Sequence, residues 1–404
     1  MRWQGFLTVI TICAIFLSVP AAAMAGPSDW ENPDPIWTGD GESPENADAE
    51  RSGYDFESQL EASGANELLE ALPGDTRSLL SQSGITEVDV GQLLSLEPGE
   101  FFRAVGRLVV ERIRRPMVVF AAVLGTVLLC ALLDALSSSL WEGTLATVFA
   151  AVSVVCVSAA VVSPISDCIA QAAAAIRDCA NFMAAFIPVF ASIVTVGGQA
   201  VTATTYTAFL FAACQIVSQI VSTTLVPLMG IYLAFCVVGN LTPGVHVAPV
   251  ARAVKSVVSW ALGLLLTIFV GLLSLQTMVA SSSDTVASKA AKFLIGTFVP
   301  VVGGALSDAF STTQGYMRLL KTAVGAFGIL AAALTFLPIL MQTVLWYLTV
   351  GAASAVSELL GVRQVGEILK SAGSALGILI AVLFCFALLV IISTSLVLLV
   401  ATGT

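Results

Sequence analysis

From Met117 onward the sequence alternates long apolar runs with short polar breaks. A helix needs roughly 20 residues, at about 1.5 Å each, to cross a bilayer. Runs that approach this length are 117–136, 144–163, 181–197, 205–221, 225–240, 257–279, 322–348 and 373–400. Stretch 205–240 is too long for one straight span and short for two, so a tight turn at Ser222-Thr223-Thr224 would make it a hairpin. Residues 293–306 are too short to span comfortably and contain Pro300 and Gly303-Gly304, which suits a re-entrant segment or half of a broken helix. The pattern predicts an all-α, polytopic helical membrane domain over 117–404, with about seven to eight spans.

Ahead of this domain the pattern changes four times. Residues 1–25 have the form of a signal peptide: Arg2, the apolar stretch Phe6 to Val19, then the small-x-small site Ala23-Met24-Ala25. An uncleaved anchor helix is the other reading, and both place the next segment across the membrane. Residues 26–53 are rich in Pro, Gly, Asp, Glu and Asn and bury too little apolar surface to order, so they read as an acidic disordered linker. Over 54–99, Leu60, Leu68, Leu69 and Leu72 recur at helical spacing up to Pro73-Gly74, and a second leucine-rich stretch ends at Pro98-Gly99. These predict short helices of a small extracytoplasmic segment.

Residues 100–116 form the clearest amphipathic helix. Phe101, Phe102, Val105, Leu108, Val109 and Ile113 fall on one face, and Arg103, Arg107, Glu111 and Arg114 on the other. Arg115 follows, and Pro116 ends the pattern. An aromatic and aliphatic face opposite arginines suits a helix lying in a membrane interface. A protein-packed surface helix is the plainer alternative.

Composition strengthens the membrane reading. Charged residues make up 11% of the chain and mean hydropathy is +0.94, whereas soluble domains carry about a quarter charged residues. The net charge of −10 belongs to one segment. Residues 26–100 hold eighteen acidic side chains and two basic ones, Arg51 and Arg77, so the remainder is net positive. Charge does not fix orientation. Arg252 and Lys255 favour a cytoplasmic 241–256 loop, yet five arginines within 103–115 adjoin an exported segment.

The eight cysteines form no CxxC pair and mostly lie in apolar runs, where cysteine acts as a small hydrophobe. His246 is the only histidine. No Walker A, GxSxG, HExxH or dinucleotide fingerprint occurs. The expectation is a protein that is not an enzyme and uses no cofactor or metal, with the lipid bilayer rather than nucleic acid as its surroundings.

Charges inside the membrane domain are few. Asp134 lies near the end of the first span, where it reads as a boundary residue or as one of the rare functional carboxylates of membrane helices. Asp284, Lys289, Lys292 and Asp308 surround 293–306, either flanking a re-entrant loop or sitting in solvated loops. Arg318 and Lys321 read as anchors at a membrane edge. Glu358, Arg363, Glu367 and Lys370 read as an exposed helix with paired charges.

Two stretches echo each other: NFMAAFIPVFASIVTVGG (181–198) and KFLIGTFVPVVGG (292–304). Phe182, Phe186, Pro188, Gly197 and Gly198 stand against Phe293, Phe298, Pro300, Gly303 and Gly304. Interrupted segments in two halves of a membrane protein point to a transport path, which makes Pro188, Gly197, Gly198, Pro300, Gly303 and Gly304 candidate path residues. Asp134, Asp284, Lys292 and Asp308 are the candidate charges near it. Pro and Gly are common in membrane helices generally, so a recurrence without function is the alternative.

The run AKFLIGTFVPVVGGALSDAF (291–310), with NFMAAFIPVFASIVTVGG and GLLLTIFVGLLSLQ (263–276), resembles the stage III sporulation protein AE family of endospore-forming bacteria. The order of parts is similar too, although the acidic linker is longer and more acidic than that resemblance leads one to expect. The resemblance implies a multi-span, permease-like component of the secretion-like channel complex between mother cell and forespore. It implies the mother-cell-derived outer forespore membrane, with the N-terminal segment facing the intermembrane space. It also implies other stage III sporulation membrane proteins and a separate secretion-type ATPase as partners, and leaves a homo-oligomer open. It carries no catalytic residues. The alternative is a stand-alone secondary transporter or permease for a small solute, against which the scarcity of buried charge argues.

Overall fold

The computed structural model describes residues 64–65, 67–82, 85, 98–140, 144–197, 199–241, 249–272 and 303–402. The stretches expected to be a signal peptide and an acidic linker, together with Gly198, Asp284, Lys289, Lys292 and Pro300, lie outside the described residues. Two short helices come first, α1 (Glu67–Glu70) and α2 (Gly74–Gln82). They are followed by α3 (Pro98–Leu140), α4 (Thr144–Val196), α5 (Ala200–Ile220) and α6 (Val226–Leu241). Then come α7 (Pro249–Leu272), α8 (Gly303–Leu359) and α9 (Arg363–Thr402). No strand occurs among the described residues, so the all-α, polytopic membrane class holds.

Six helices among the described residues are long and apolar enough to span a bilayer. The count falls below eight because two pairs of apolar runs are each one helix. Runs 144–163 and 181–197 both belong to α4, which passes through Pro164 and Pro188. Its charged middle stays helical because Asp167, Arg177 and Asp178 are all exposed, while Cys168, Ala172, Ile176 and Cys179 recur at three- and four-residue steps on the buried face. Runs 205–221 and 225–240 are joined by a π-helical turn, Val221–Leu225, and not by a hairpin. Thr223 keeps the chain helical by donating its hydroxyl to the carbonyl of Gln219, 2.5 Å away.

Burial divides the spans into inner and outer helices. Over its most apolar stretch α8 is 89% buried inside the protein, against 17% for α7 and 22% for α3. A helix that is apolar all round and almost wholly covered by protein is a central one. Its widest partner is α9, antiparallel to it across a tight turn. Gly361 there adopts φ +81°, a left-handed conformation that favours glycine after a helix C-terminus. Val362 N donates to Ser357 O (3.0 Å) and Gly361 N to Glu358 O (3.2 Å), closing the helix end. Lipid tails are as apolar as leucine, so this packing rests on close fit more than on removal from water. Inside the α8–α9 pair, Thr335, Thr343, Ser393 and Thr394 each satisfy their hydroxyl on the carbonyl one turn earlier.

At about 1.5 Å per residue, α4 and α8 are about 80 and 85 Å long, well beyond the roughly 30 Å hydrocarbon core. Parts of both therefore stand outside the bilayer. α1 and α2 pack on these two helices. Leu68, Leu80 and Ile85 are fully buried there. Arg77 folds back onto α1, donating to the carbonyls of Leu69 (3.0 Å) and Glu70 (2.6 Å) that the helix end leaves open. Thr76 and Thr335 meet through their hydroxyls at 3.2 Å. Thr335 already gives its proton to Ala331 O, so Thr76 is the donor.

Candidate functional site

The aromatic motif of 181–190 is a packing device. Phe182, Phe186 and Phe190 lie one turn apart on the buried face of α4, with ring centroids 5.8 and 5.5 Å apart. They press on two glycines of α8. A methyl group on Gly328 would collide with the Phe186 ring, and one on Gly325 would lie 2.6 Å from Leu398 and 3.3 Å from Phe190. Pro188 is on the opposite, exposed side of a continuous helix. The break expected around this proline therefore occurs nine residues later, after Val196, where Gly197 turns and Gln199 starts α5. The amide that Pro188 lacks removes one hydrogen bond on a surface turn and does not end the helix.

The α4–α5 junction holds the one buried cationic side chain of the described residues. Lys321 is 4% exposed. Its Nζ donates to Gln199 Oε1 at 3.1 Å, and its ammonium group lies against Gly197. The carbonyl end of α4 supplies partial negative charge at this place. Gln199 is the N-cap of α5 and makes no side-chain cap bond, since its amide group is turned to Lys321. A Cβ at position 197 would occupy the space of the ammonium group, so any larger residue there must push the end of the Lys321 side chain aside. Lys321 is thus no membrane-edge anchor, whereas Arg318 is exposed. The signal was present in the sequence: Lys321, Val324, Gly325 and Gly328 share one face of α8 at steps of three and four residues.

Two further polar places line the long helices. A groove of about 1080 Å³ runs between α7, α8 and α9. Lys255 reaches into it and donates to Ser374 Oγ at 3.2 Å, and Gly373 and Gly377 form its floor on α9. At its edge Lys370 pairs with Glu358 at 2.6 Å. These charges were expected along one exposed helix, but the pair instead bridges α8 and α9 across the Gly361 turn.

The second place is a cavity of about 780 Å³ where α3, α4 and α8 meet. Arg112 donates to Gln342 Oε1 and, at 3.4 Å, to Asp75 Oδ2. Gln342 Nε2 in turn faces Cys168 Sγ at 3.8 Å. One polar chain thereby connects α2, α3, α8 and α4. Arg114 and Arg115 also line the cavity.

The helix of 100–116 does not end at Pro116. It is the first part of α3, and Pro116 is buried within it. Val105 and Leu108 of its apolar face are buried against the protein, with α4 and α8 as the neighbours of α3. Ile113 stays exposed, as do Arg103, Arg107, Arg114 and Arg115. Phe101 and Phe102 fall in the first turn of α3. Gly303 and Gly304 form the first turn of α8, Asp308 follows in its second, and Asp134 lies in the last two turns of α3. Of the candidate path residues, Gly197 meets a charged side chain, that of Lys321. Among the described residues no group of His, Cys, Asp and Glu side chains could hold a metal ion. Cys168, Cys179, Cys214 and Cys236 are buried and unbridged, as small apolar side chains.

The family described as stage III sporulation protein AE matches residues 84–402, which includes all the long helices. A curated relative, "Stage III sporulation protein AE" of Bacillus subtilis (strain 168), is 26% identical over 210 residues. That alignment covers 51% of this chain and 53% of the relative, so the chain spans about half the length of the curated relative it matches. No solved structure matches.

Proposed function

Given that the chain belongs to the stage III sporulation protein AE family, we propose that it is the multi-span, permease-like component of a secretion-like channel complex between mother cell and forespore. The observation that carries this reading is the family match from residue 84 to 402, which takes in the whole helical bundle and not one apolar motif. In this reading the protein sits in the mother-cell-derived outer forespore membrane. Its N-terminal segment faces the intermembrane space, and its partners are other stage III sporulation membrane proteins and a separate secretion-type ATPase. The protein itself performs no chemistry. Helices of about 80 Å support the reading physically, because they exceed any bilayer and offer side surface to neighbouring subunits outside it.

Deletion of the gene in its own spore-forming host is the direct test. Forespores are expected to complete engulfment and then to lose late gene expression, with rescue by the full-length gene. Unchanged late expression and unchanged spore yield in the deletion strain would reject the channel role.

A further inference from the structure

We propose that the cavity between α3, α4 and α8 seats the headgroup of an anionic glycerophospholipid, with its phosphate on Arg114 and Arg115. This inference does not depend on the sporulation reading.

Three observations converge on it. The first is charge. Arg112, Arg114 and Arg115 line the cavity together with two carboxylates, Glu111 and Asp167. Arg112 is already held by Gln342 and Asp75. Arg114 and Arg115 are exposed and have no ion pair among the described residues, so two guanidinium groups stand ready for a phosphate. Guanidinium groups bind phosphate through paired N–H donors, more specifically than an ammonium does.

The second observation is depth. On α3 every charge between Arg103 and Arg115 precedes Met117, and none follows until Asp134. On α4, residues 144–163 carry no charge, and Asp167 is the first. The antiparallel helices α3 and α4 thus change from charged to apolar at one level, marked by Pro116 and Pro164, and both prolines line the cavity. The joint end of the apolar runs 117–136 and 144–163 on these two helices suits a membrane–water boundary at the cavity. A phospholipid phosphate resides at that level.

The third observation is the apolar surface beyond it. Met117, Val118, Leu128, Leu129, Val152 and Val155 are exposed on the α3–α4 pair, and acyl chains would cover them. Trp346 borders the cavity from α8; tryptophan is favoured at this depth because it is apolar with one polar edge. The two carboxylates disfavour a bare anion but can accept hydrogen bonds from headgroup hydroxyls. Phosphatidylglycerol, with one phosphate and two hydroxyls, fits the set.

Arg103 and Arg107 lie outside this cavity, so the proposal assigns a defined site to two arginines and no general role to the amphipathic face. The test uses the full-length protein, delipidated in detergent and offered equal amounts of phosphatidylglycerol and phosphatidylcholine, with retained lipid read by native mass spectrometry. The wild type is expected to retain phosphatidylglycerol in preference. Arg114→Gln/Arg115→Gln should lower that preference roughly thirtyfold, by the attraction each basic residue has for anionic lipid. Arg114→Lys/Arg115→Lys should keep part of it, and Arg177→Gln, on the exposed face of α4, should keep all of it. Thermal melting of each variant separates lost binding from lost fold. Equal retention of both lipids by the wild type would overturn the proposal, as would loss of preference in Arg177→Gln equal to that in the double variant. Retention of phosphatidylethanolamine equal to phosphatidylglycerol would overturn the anionic assignment. Full displacement by millimolar glycerol 3-phosphate would reassign the site to a free phosphate and overturn the lipid.

Discussion

Lys321 Nζ donates to Gln199 Oε1 across 3.1 Å and rests against Gly197, so a buried cation on the central helix holds the point where α4 gives way to α5. Two segments 122 residues apart in the chain share one small volume there. The carbonyl end of α4 and the amide oxygen of Gln199 together offset the cost of burying the charge.

The first prediction follows from that crowding. Gly197→Ala should lower the melting temperature of the purified protein, since the added methyl must displace the ammonium group. Lys321→Ala alone leaves Gln199 without its donor and should cost about 1–3 kcal/mol. The double variant should be less destabilised than the sum of the two, because removing the lysine makes room for the methyl. Strict additivity in this cycle would show that the two residues do not share the space.

Pro188 is exposed on a continuous helix, and this makes Pro188→Leu a mild substitution. Leucine restores the missing backbone donor and suits a lipid-facing or surface position. The protein should insert and accumulate to the wild-type level, and its melting temperature should hold or rise. A steep fall in spore yield at normal protein level would show instead that the proline serves the function directly.

Apolar periodicity made the helical class and the rough positions of the spans readable, because an apolar run near 20 residues suits a spanning helix and little else. Continuity was not readable. Ser222-Thr223-Thr224 looks like a turn, yet serine and threonine can return their hydroxyls to the helix carbonyls, as Thr223 does. Asp167, Arg177 and Asp178 look like a loop between spans. They are one charged face of a helix whose other face stays apolar throughout. The cavity of Arg114 and Arg115 was half legible: the arginines stood out, but Asp167 and Trp346 reach them only through tertiary packing. Gln199 gave no signal, since a lone polar residue after two glycines is ordinary.

The third prediction concerns the docking of α2. Thr76 and Thr335 are 259 residues apart and touch through their hydroxyls. With both replaced by cysteine, the protein should form an internal cross-link on oxidation, visible as a mobility shift that reductant reverses. Cys168 and Cys179 are buried and should not compete. Absence of the cross-link in membranes, with both cysteines accessible to a maleimide, would show that α2 stands away from α8.

If α2 lies on the exported side, Ser78→Cys should also report that side. Ser78 is exposed on α2. In cells whose outer leaflet is reachable, an impermeant thiol reagent should label it before lysis, with Cys156 replaced by serine to remove the exposed native thiol. Labelling only after lysis would place α2 in the cytoplasm.

The last prediction tests the contact that makes the aromatic motif necessary. The Phe186 ring occupies the space over Gly328, at the centre of the stack from Phe182 to Phe190. Gly328→Ala adds a methyl where the ring already sits, and overpacking of this kind costs about 1–3 kcal/mol. Neither neighbour yields easily. Phe182 and Phe190 hold the ring from both sides along α4, and the α8 backbone behind Gly328 is pinned by its pairing with α9. Phe186→Leu removes the planar ring and leaves a gap, costing stability for the opposite reason. Combined, the two changes are complementary in volume: the methyl fills part of the space the ring has left. The double variant should therefore melt above Gly328→Ala alone. A double variant that melts no higher would show that Phe186 and Gly328 do not meet, and α4 would then need a different register against α8.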